Sequence, residues 1–231
     1  KTIIDHNQKT QFILGHGSGS FGHAVAKKYH TREGVKSLEE WLGFVEVWWA
    51  ARSLNQYVLQ ELINIGLPCM SFPPSAISIN NNSNAAIIFQ DAILAALNAG
   101  IIPVVYGDVV FDSKIGGTIF STEDFFVLLA RLIKPSKILI AGLEEKIWED
   151  FPKNSMGISL ITPKNYHLYR SRIRQSASVD VTGGMIEKVN TMLNLINENP
   201  AMKVCVFSGK EFGNLEKAIN EEPVGTWIKK D

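Results

Sequence analysis

Four glycines, two serines and two histidines crowd into nine residues, Gly15-His16-Gly17-Ser18-Gly19-Ser20-Phe21-Gly22-His23. The apolar run Phe12-Ile13-Leu14 precedes them, and helix-forming residues from Ala24 to Tyr29 follow. Glycine lets backbone N–H groups approach an anion closely, and the start of a helix adds a favourable dipole. His23 can add a charge-assisted hydrogen bond to a phosphate oxygen. The loop has neither a Walker A lysine nor the spacing of a dinucleotide fingerprint. The plainer alternative is a tight strand-to-helix turn that needs glycine for its backbone alone.

A second glycine pair lies in Asp180-Val181-Thr182-Gly183-Gly184-Met185-Ile186-Glu187-Lys188. The pair opens a helix and sets Lys188 one turn in, where an ammonium can reach a polyphosphate held by the glycine amides. An exposed lysine at an ordinary helix start is the alternative. Gly107-Asp108 and Ser121-Thr122-Glu123-Asp124 each follow a predicted strand. They therefore fall at carboxyl ends, where open α/β sheets bind ligands. Asp124 is expected to close a capping box with Ser121, which leaves Asp108 and Glu123 as the carboxylates that could orient a lysine or a metal. No residue set is assigned as a metal site of the protein itself. Trp41 and Trp48, at helical spacing, are read as core or pocket wall. Arg170, Arg172 and Arg174 alternate like one face of a strand and could meet an anion, although an exposed edge guarded by charge is the commoner arrangement.

These groups need a scaffold, and the hydrophobic pattern predicts one. Strands are expected over 12–14, 69–72, 101–106, 109–111, 118–120, 137–141, 158–162 and 203–207. Helices are expected over 24–29, 41–63, from Ser83 as N-cap to Gly100, over 121–133, from Gly183 onward, and over 212–219. Residues 1–11 read as the tail of a helix and a turn, and 80–83 as loop. Strands alternating with helices imply an α/β fold with a mainly parallel sheet.

Composition narrows the function. The chain has 231 residues, 45% of them hydrophobic, and balances 23 Lys+Arg against 23 Asp+Glu. That suits one globular domain and argues against a nucleic-acid binder with a global basic field, while leaving local phosphate sites open. The longest apolar stretch, Ala85 to Phe111, is interrupted by Gln90, Asp91, Asn98, Gly100 and Pro103, so no membrane span is expected. Cys69 and Cys205, both in apolar surroundings, are expected as buried thiols of a cytoplasmic protein.

Taken together, the motifs resemble the amino acid kinase superfamily and, within it, the isopentenyl phosphate kinases. The pattern His-Gly-Gly-Gly-x-Phe-Gly-His is matched by His16 to His23, with Ser18 in place of the middle glycine. Asp-Val-Thr-Gly-Gly-Met-x-x-Lys is matched by Asp180 to Lys188 at every specified position. Gly-Asp followed by a hairpin (Tyr106 to Asp112), Val-Phe-x-Gly (Val206 to Gly209) and a final Gly225-Thr226 follow in the family's order.

The resemblance implies a three-layer αβα sandwich with a mainly parallel central sheet. It implies a single kinase domain over residues 1–231, short of the family's opening Lys-Leu-Gly-Gly-Ser strand and part of its first helix. The implied activity is ATP- and Mg²⁺-dependent phosphorylation of isopentenyl phosphate to isopentenyl diphosphate by a homodimer. By position, His23 and Lys188 would be catalytic. Gly17, Ser18, Gly19, His23, Gly107, Asp108 and Thr122 would bind the acceptor. Gly19, Ala141, Gly142, Lys146, Gly183, Gly184, Lys188, Ser208 and Gly209 would bind the nucleotide. The family's Asp-Val-Asp-Gly in the nucleotide pocket is replaced by Leu143-Glu144-Glu145-Lys146, so purine contacts do not transfer there. A kinase of another small phosphate or phosphonate, of the fosfomycin type, and a non-catalytic nucleotide-binding protein are the alternatives.

Overall fold

A computed structural model describes residue 3, residues 10–173 and residues 184–231. The expected helix tail before Thr10 lies outside these residues, Ile3 excepted, and so do Arg174 and Asp180 to Gly183. The chain divides into two compact units, residues 1–128 and 129–231.

The first unit is built on a fully parallel sheet of three strands in the order β1 (Leu14–His16), β5 (Ile102–Tyr106), β2 (Cys69–Ser71). β5 is central and buried along its whole length, although it contains Pro103. The N–H of Ile102 donates to Pro68 O on the β2 side. Alternate residues of a parallel strand turn to opposite neighbours, so the missing N–H of Pro103 faces the β1 side. Pairing there starts only at Leu14↔Val104, and the proline forfeits no ladder bond.

Between β1 and β2 run α1 (Gly19–Tyr29) and the long α2 (Leu38–Asn64). α2 begins earlier than its apolar periodicity predicts, because Ser37 and Glu40 form a reciprocal capping box. Gly66, at φ 84, ends it with the Leu67 N–H on Leu62 O. Phe44 and Val47 form a core with Val35 and Val109, and Trp41 and Trp48 pack against it as expected.

The segment after Pro73 departs from the expected loop and long helix. A short helix, α3 (Pro74–Ile77), leads into an antiparallel pair, β3 (Ser78–Asn81) and β4 (Asn84–Ile88). Only then does α4 (Asp91–Asn98) form. Ser83 is therefore a turn residue and not an N-cap. Asn82 and Ser83 both take positive φ, 52 and 63 degrees, as a tight two-residue hairpin turn requires. β3 also pairs in parallel with β6 (Asp108–Asp112), which forms the expected hairpin with β7 (Gly116–Phe120). Strand pairing on both edges of β3 outweighs the helix propensity of the alanines that follow the turn.

α5 (Thr122–Ile133) starts under a cap read correctly from sequence. The Asp124 N–H donates to Ser121 Oγ, and the Ser121 hydroxyl donates back to Asp124 Oδ2 at 2.6 Å.

The second unit carries a four-stranded sheet in the order β11 (Leu160–Ile161), β13 (Thr226–Ile228), β12 (Lys203–Ser208), β8 (Lys137–Gly142). β8 and β12 run parallel and in register over six residues each, from Lys203↔Lys137 to Ser208↔Gly142. The strand expected over 158–162 is split: β10 (Gly157–Ile158) pairs with β9 (Ile147–Trp148), and β11 pairs with β13. Thr226 explains the split. Its buried hydroxyl accepts from the Ile147 N–H and donates to Ile158 O, tying the small hairpin to the larger sheet. Of the arginine series, Arg170 and Arg172 lie outside any strand. Arg170 and Arg172 follow the short helix α6 (Tyr166–Tyr169), and Arg172 pairs with Glu149 at 2.7 Å. α7 (Gly184–Glu198) buries Val189, Met192, Leu193, Leu195 and Ile196, and α8 (Asn214–Asn220) follows β12. Neither cysteine is in a disulfide; Cys205 is buried and Cys69 half-buried.

Candidate active site

In the first unit, β1 delivers the glycine loop and α1 receives it. Gly15 has no room for a side chain, since a Cβ there would overlap the Phe126 ring of α5. The carbonyl of His16 accepts from the Thr122 hydroxyl at 2.7 Å and from the Gly107 N–H at 3.3 Å. Its imidazole stacks on Tyr106, with centroids 5.5 Å apart and planes 7° from parallel. Nε2 lies 3.1 Å from Asn55 Oδ1 and Nδ1 lies 2.9 Å from Gly17 O. Asn55, buried on α2, donates in turn to Ser71 Oγ at 2.9 Å. The root of the loop is thus fixed by α2, β2, β5 and α5 together.

Ser18 occupies the N-cap position of α1 at φ −77, ψ −7, an allowed right-handed conformation, so the exchange of glycine for serine brings no backbone strain. Its side chain makes no capping hydrogen bond, which leaves the first-turn amides of α1 open to an anion. The Ser18 side chain instead packs where a Cβ on Gly22 would sit, and that accounts for the fourth glycine. A Cβ on Gly107 would lie 3.8 Å from Ser18 N and 3.3 Å from Thr122 Oγ1. Gly17, Ser18, Gly19, Gly107 and Thr122 are therefore neighbours, and His23 stands exposed on the same helix, one turn in.

Asp108 adjoins this group but is 1% exposed. Its carboxylate accepts from Ser75 Oγ at 2.6 Å and from the Val109 N–H at 2.8 Å. Burial pushes it up to about 6 against those hydrogen bonds. Thr122 likewise directs its hydroxyl to a backbone carbonyl. Sequence reasoning gave no individual role to Asn55, Ser71 or Tyr106. An asparagine on the buried face of α2, one turn beyond Ala51, was the one available signal.

In the second unit, the paired ends of β8 and β12 bring Ala141, Gly142, Ser208 and Gly209 together. The Gly209 N–H donates to Gly142 O at 2.9 Å, and a Cβ on Gly209 would lie 3.2 Å from that of Ala141. A Cβ on Gly142 would meet nothing within 4 Å. Lys146 directs its ammonium to Ser159 Oγ at 3.4 Å. Gly184, at φ 73, opens α7, and Lys188 lies one turn further on. Gly183 lies outside the described residues. Among the described residues, no three His, Cys, Asp or Glu side chains gather as a metal site, and no helix is long and apolar enough to cross a membrane.

The chain is an α/β protein with a glycine loop and helix start at the end of a parallel strand in its first unit and a glycine-headed helix carrying Lys188 in its second. The sequence profile of the Amino acid kinase family matches residues 1–208, and the chain belongs to that family. Among its relatives, the isopentenyl phosphate kinase of Methanocaldococcus jannaschii is 33% identical over 237 residues, which is 99% of this chain and 86% of the relative. The isopentenyl phosphate kinase of Methanothermobacter thermautotrophicus is 25% identical, over 97% of this chain and 86% of the relative. An X-ray structure of isopentenyl phosphate kinase superposes with a TM-score of 0.80 at 22% identity, covering 99% of this chain and 87% of that one. This likeness establishes the shared fold.

Proposed function

We propose that this protein is a kinase that phosphorylates isopentenyl phosphate with ATP, yielding isopentenyl diphosphate and ADP. The carrying observation is the 33% identity to an isopentenyl phosphate kinase over 99% of the chain, which includes both glycine motifs. The reading takes the two compact units as parts of one kinase domain.

In this reading the open amides of Ser18 and Gly19 and the imidazole of His23 hold the acceptor phosphate, flanked by Gly17, Gly107 and Thr122. Asp108, next to Gly107 and buried, accepts from the Ser75 hydroxyl and stands behind this group. Gly183, Gly184 and Lys188 embrace the nucleotide phosphates, while Ala141, Gly142, Ser208 and Gly209 shape the nucleotide pocket. An oxygen of the acceptor phosphate attacks the γ-phosphorus in line, and the bond to the β,γ-bridging oxygen breaks, leaving ADP. No general base is needed, because a phosphate monoester has a second pKa of about 6 and is already largely dianionic near neutrality. The protein's tasks are positioning and charge neutralisation, with Lys188 supplying a fixed positive charge.

Mg²⁺ fits a site of this kind. It typically binds through substrate phosphates with one or two carboxylates, and Glu123 on the first turn of α5 is the candidate carboxylate. Bound there, it would neutralise charge on the phosphate oxygens.

The protein is further proposed to be a cytoplasmic homodimer with no nucleic-acid partner. Two unpaired cysteines suit a reducing compartment, and the exposed apolar series Leu38, Leu42, Val45 and Trp49 along α2 suits a subunit contact.

The test is a substrate panel with ADP release and phosphorus NMR of the product as readouts. Isopentenyl phosphate should be consumed, with dimethylallyl phosphate as the five-carbon comparison. Turnover of a phosphonate such as fosfomycin with none of either prenyl phosphate overturns the assignment. Nucleotide binding without any transfer would point to a non-catalytic protein.

A further inference from the structure

His16 opens the glycine loop, and the kinase reading gives it no contact with either substrate. Yet both of its ring nitrogens are engaged: Nδ1 lies 2.9 Å from the carbonyl oxygen of Gly17 and Nε2 lies 3.1 Å from Asn55 Oδ1. The plane of the ring is set by Tyr106, on which it stacks with centroids 5.5 Å apart. Asn55, 3% exposed, is held in turn by Ser71 Oγ at 2.9 Å. The backbone of His16 is fixed as well, since its carbonyl accepts from the Thr122 hydroxyl and the Gly107 N–H. A side chain held this firmly, from α2, β2 and β5 together, can hold something else.

What it holds is the peptide after Gly17. A carbonyl oxygen only accepts, so the contact with Gly17 O needs a hydrogen on Nδ1. With Asn55 Oδ1 opposite Nε2, the ring donates at both nitrogens and is an imidazolium. With the Asn55 amide turned end for end, the ring is neutral, Nε2 accepts from the amide nitrogen, and the Ser71 hydroxyl donates to the amide oxygen. Both states keep the hydrogen bond from Nδ1 to Gly17 O. The neutral tautomer with its hydrogen on Nε2 loses it, because two lone pairs would then face each other at 2.9 Å.

A trans peptide points its C=O and N–H in opposite directions. With Gly17 O drawn to the imidazole, the Ser18 N–H is turned away from the ring. Gly107 flanks that amide, since a Cβ on Gly107 would lie 3.8 Å from Ser18 N. Gly17 cannot set this orientation itself, because it has no side chain, and a Cβ added there would meet only Gly19 N, at 3.9 Å. Orientation of the peptide therefore falls to His16. We propose that His16 is a positioning residue for the acceptor phosphate, its Nδ1–H holding the Gly17 carbonyl so that the Ser18 N–H is aimed at a phosphate oxygen before the substrate arrives. The proposal deepens the kinase reading and rests on its assignment of the Ser18 amide to the acceptor. A donor oriented in advance costs no reorganisation when the charge arrives.

The experiment uses His16→Asn, whose amide nitrogen can take the place of Nδ1, and His16→Gln, whose amide reaches instead toward Asn55. In His16→Gln the KM for isopentenyl phosphate should rise roughly tenfold, while in His16→Asn it should stay within about threefold of the wild type. Calorimetric affinity for isopentenyl phosphate without nucleotide should follow the same order, and the KM for ATP should stay within about twofold in both variants. Nitrogen-15 NMR of the wild-type imidazole should show a hydrogen on Nδ1. Equal rises in the two variants, or matching rises in both KM values, overturn the proposal, because His16 would then serve the fold alone. A neutral ring with its hydrogen on Nε2 overturns it whatever the kinetics, and even where neither variant folds. If NMR finds the hydrogen on Nδ1 but the wild-type chain neither binds nor consumes isopentenyl phosphate, the kinase reading has failed and the acceptor role falls with it.

Discussion

The hydroxyl of Thr122 donates to the carbonyl oxygen of His16 at 2.7 Å, joining residues 106 positions apart at the root of the glycine loop. The same carbonyl receives the Gly107 N–H. Thr122 thereby fixes where the peptide after β1 points, and hence where the open amides of α1 begin. Thr122→Val preserves the shape and removes the donor. The expected result is a stability loss of about 1 kcal/mol together with a several-fold rise in the KM for the acceptor. Thr122→Ser should restore both. Urea unfolding and steady-state kinetics read the two effects, and a stability loss with no change in acceptor KM would assign Thr122 a purely structural part.

His23 stands exposed on α1, one turn into the helix whose first amides are uncapped. A hydrogen bond to a charged group is worth about 1.5–3 kcal/mol. His23→Ala should therefore lower kcat/KM for isopentenyl phosphate by about one to two orders of magnitude while leaving ADP affinity alone. Lys188→Ala should act on the other substrate and lower kcat. Wild-type kinetics in both variants would place the site elsewhere.

Asp112 ties two turns together. Its carboxylate accepts the N–H groups of Asn82 and Ser83 in the β3–β4 turn and those of Lys114 and Ile115 in the β6–β7 turn, at 2.7 to 3.1 Å. Burial pushes its pKa up, but the amides of Lys114, Ser83, Ile115 and Asn82 together outweigh that and hold it below the usual carboxylate range. A depressed folded pKa contributes stability above the unfolded value of about 3.9 and loses it as pH falls through the folded value. Asp112→Ala should cost about 1–3 kcal/mol at pH 7, from amides left without an acceptor, and should flatten the acid limb of the stability profile. Equal chemical stability of variant and wild type at neutral pH would contradict this.

Asp108 has the opposite sign. Its pKa is raised by burial to about 6, so the folded state favours the protonated form. Stability should fall as pH rises from about 4 to 6, by an amount on the order of 3 kcal/mol, and then level off. Asp108→Asn should abolish that slope. Denaturant midpoints measured between pH 4 and 7 decide the matter, and parallel profiles for the two proteins would show that Asp108 does not titrate in this window.

The glycine loop after β1, the alternation of strands and helices, the Ser121–Asp124 cap and the core positions of Trp41 and Trp48 were all legible in sequence. Each depends on residue type over a few neighbouring positions, where backbone sterics and local hydrogen bonding act. The β3–β4 hairpin was not legible. Its alanines and isoleucines suit a helix as well as a strand, and pairing with Phe111 and Asp112, distant in sequence, settles the choice. The same holds for the division of 158–162 between two sheets, which follows from the buried hydroxyl of Thr226. At the candidate site, the sequence by itself determined that a glycine loop with accessible backbone amides leads from β1 into a helix, because glycine at those positions leaves the backbone uncovered. Tertiary structure alone decided that His16 is held by Tyr106, Asn55 and Thr122. Contacts between elements depend on register and packing across the chain, and no local spacing of residues encodes them.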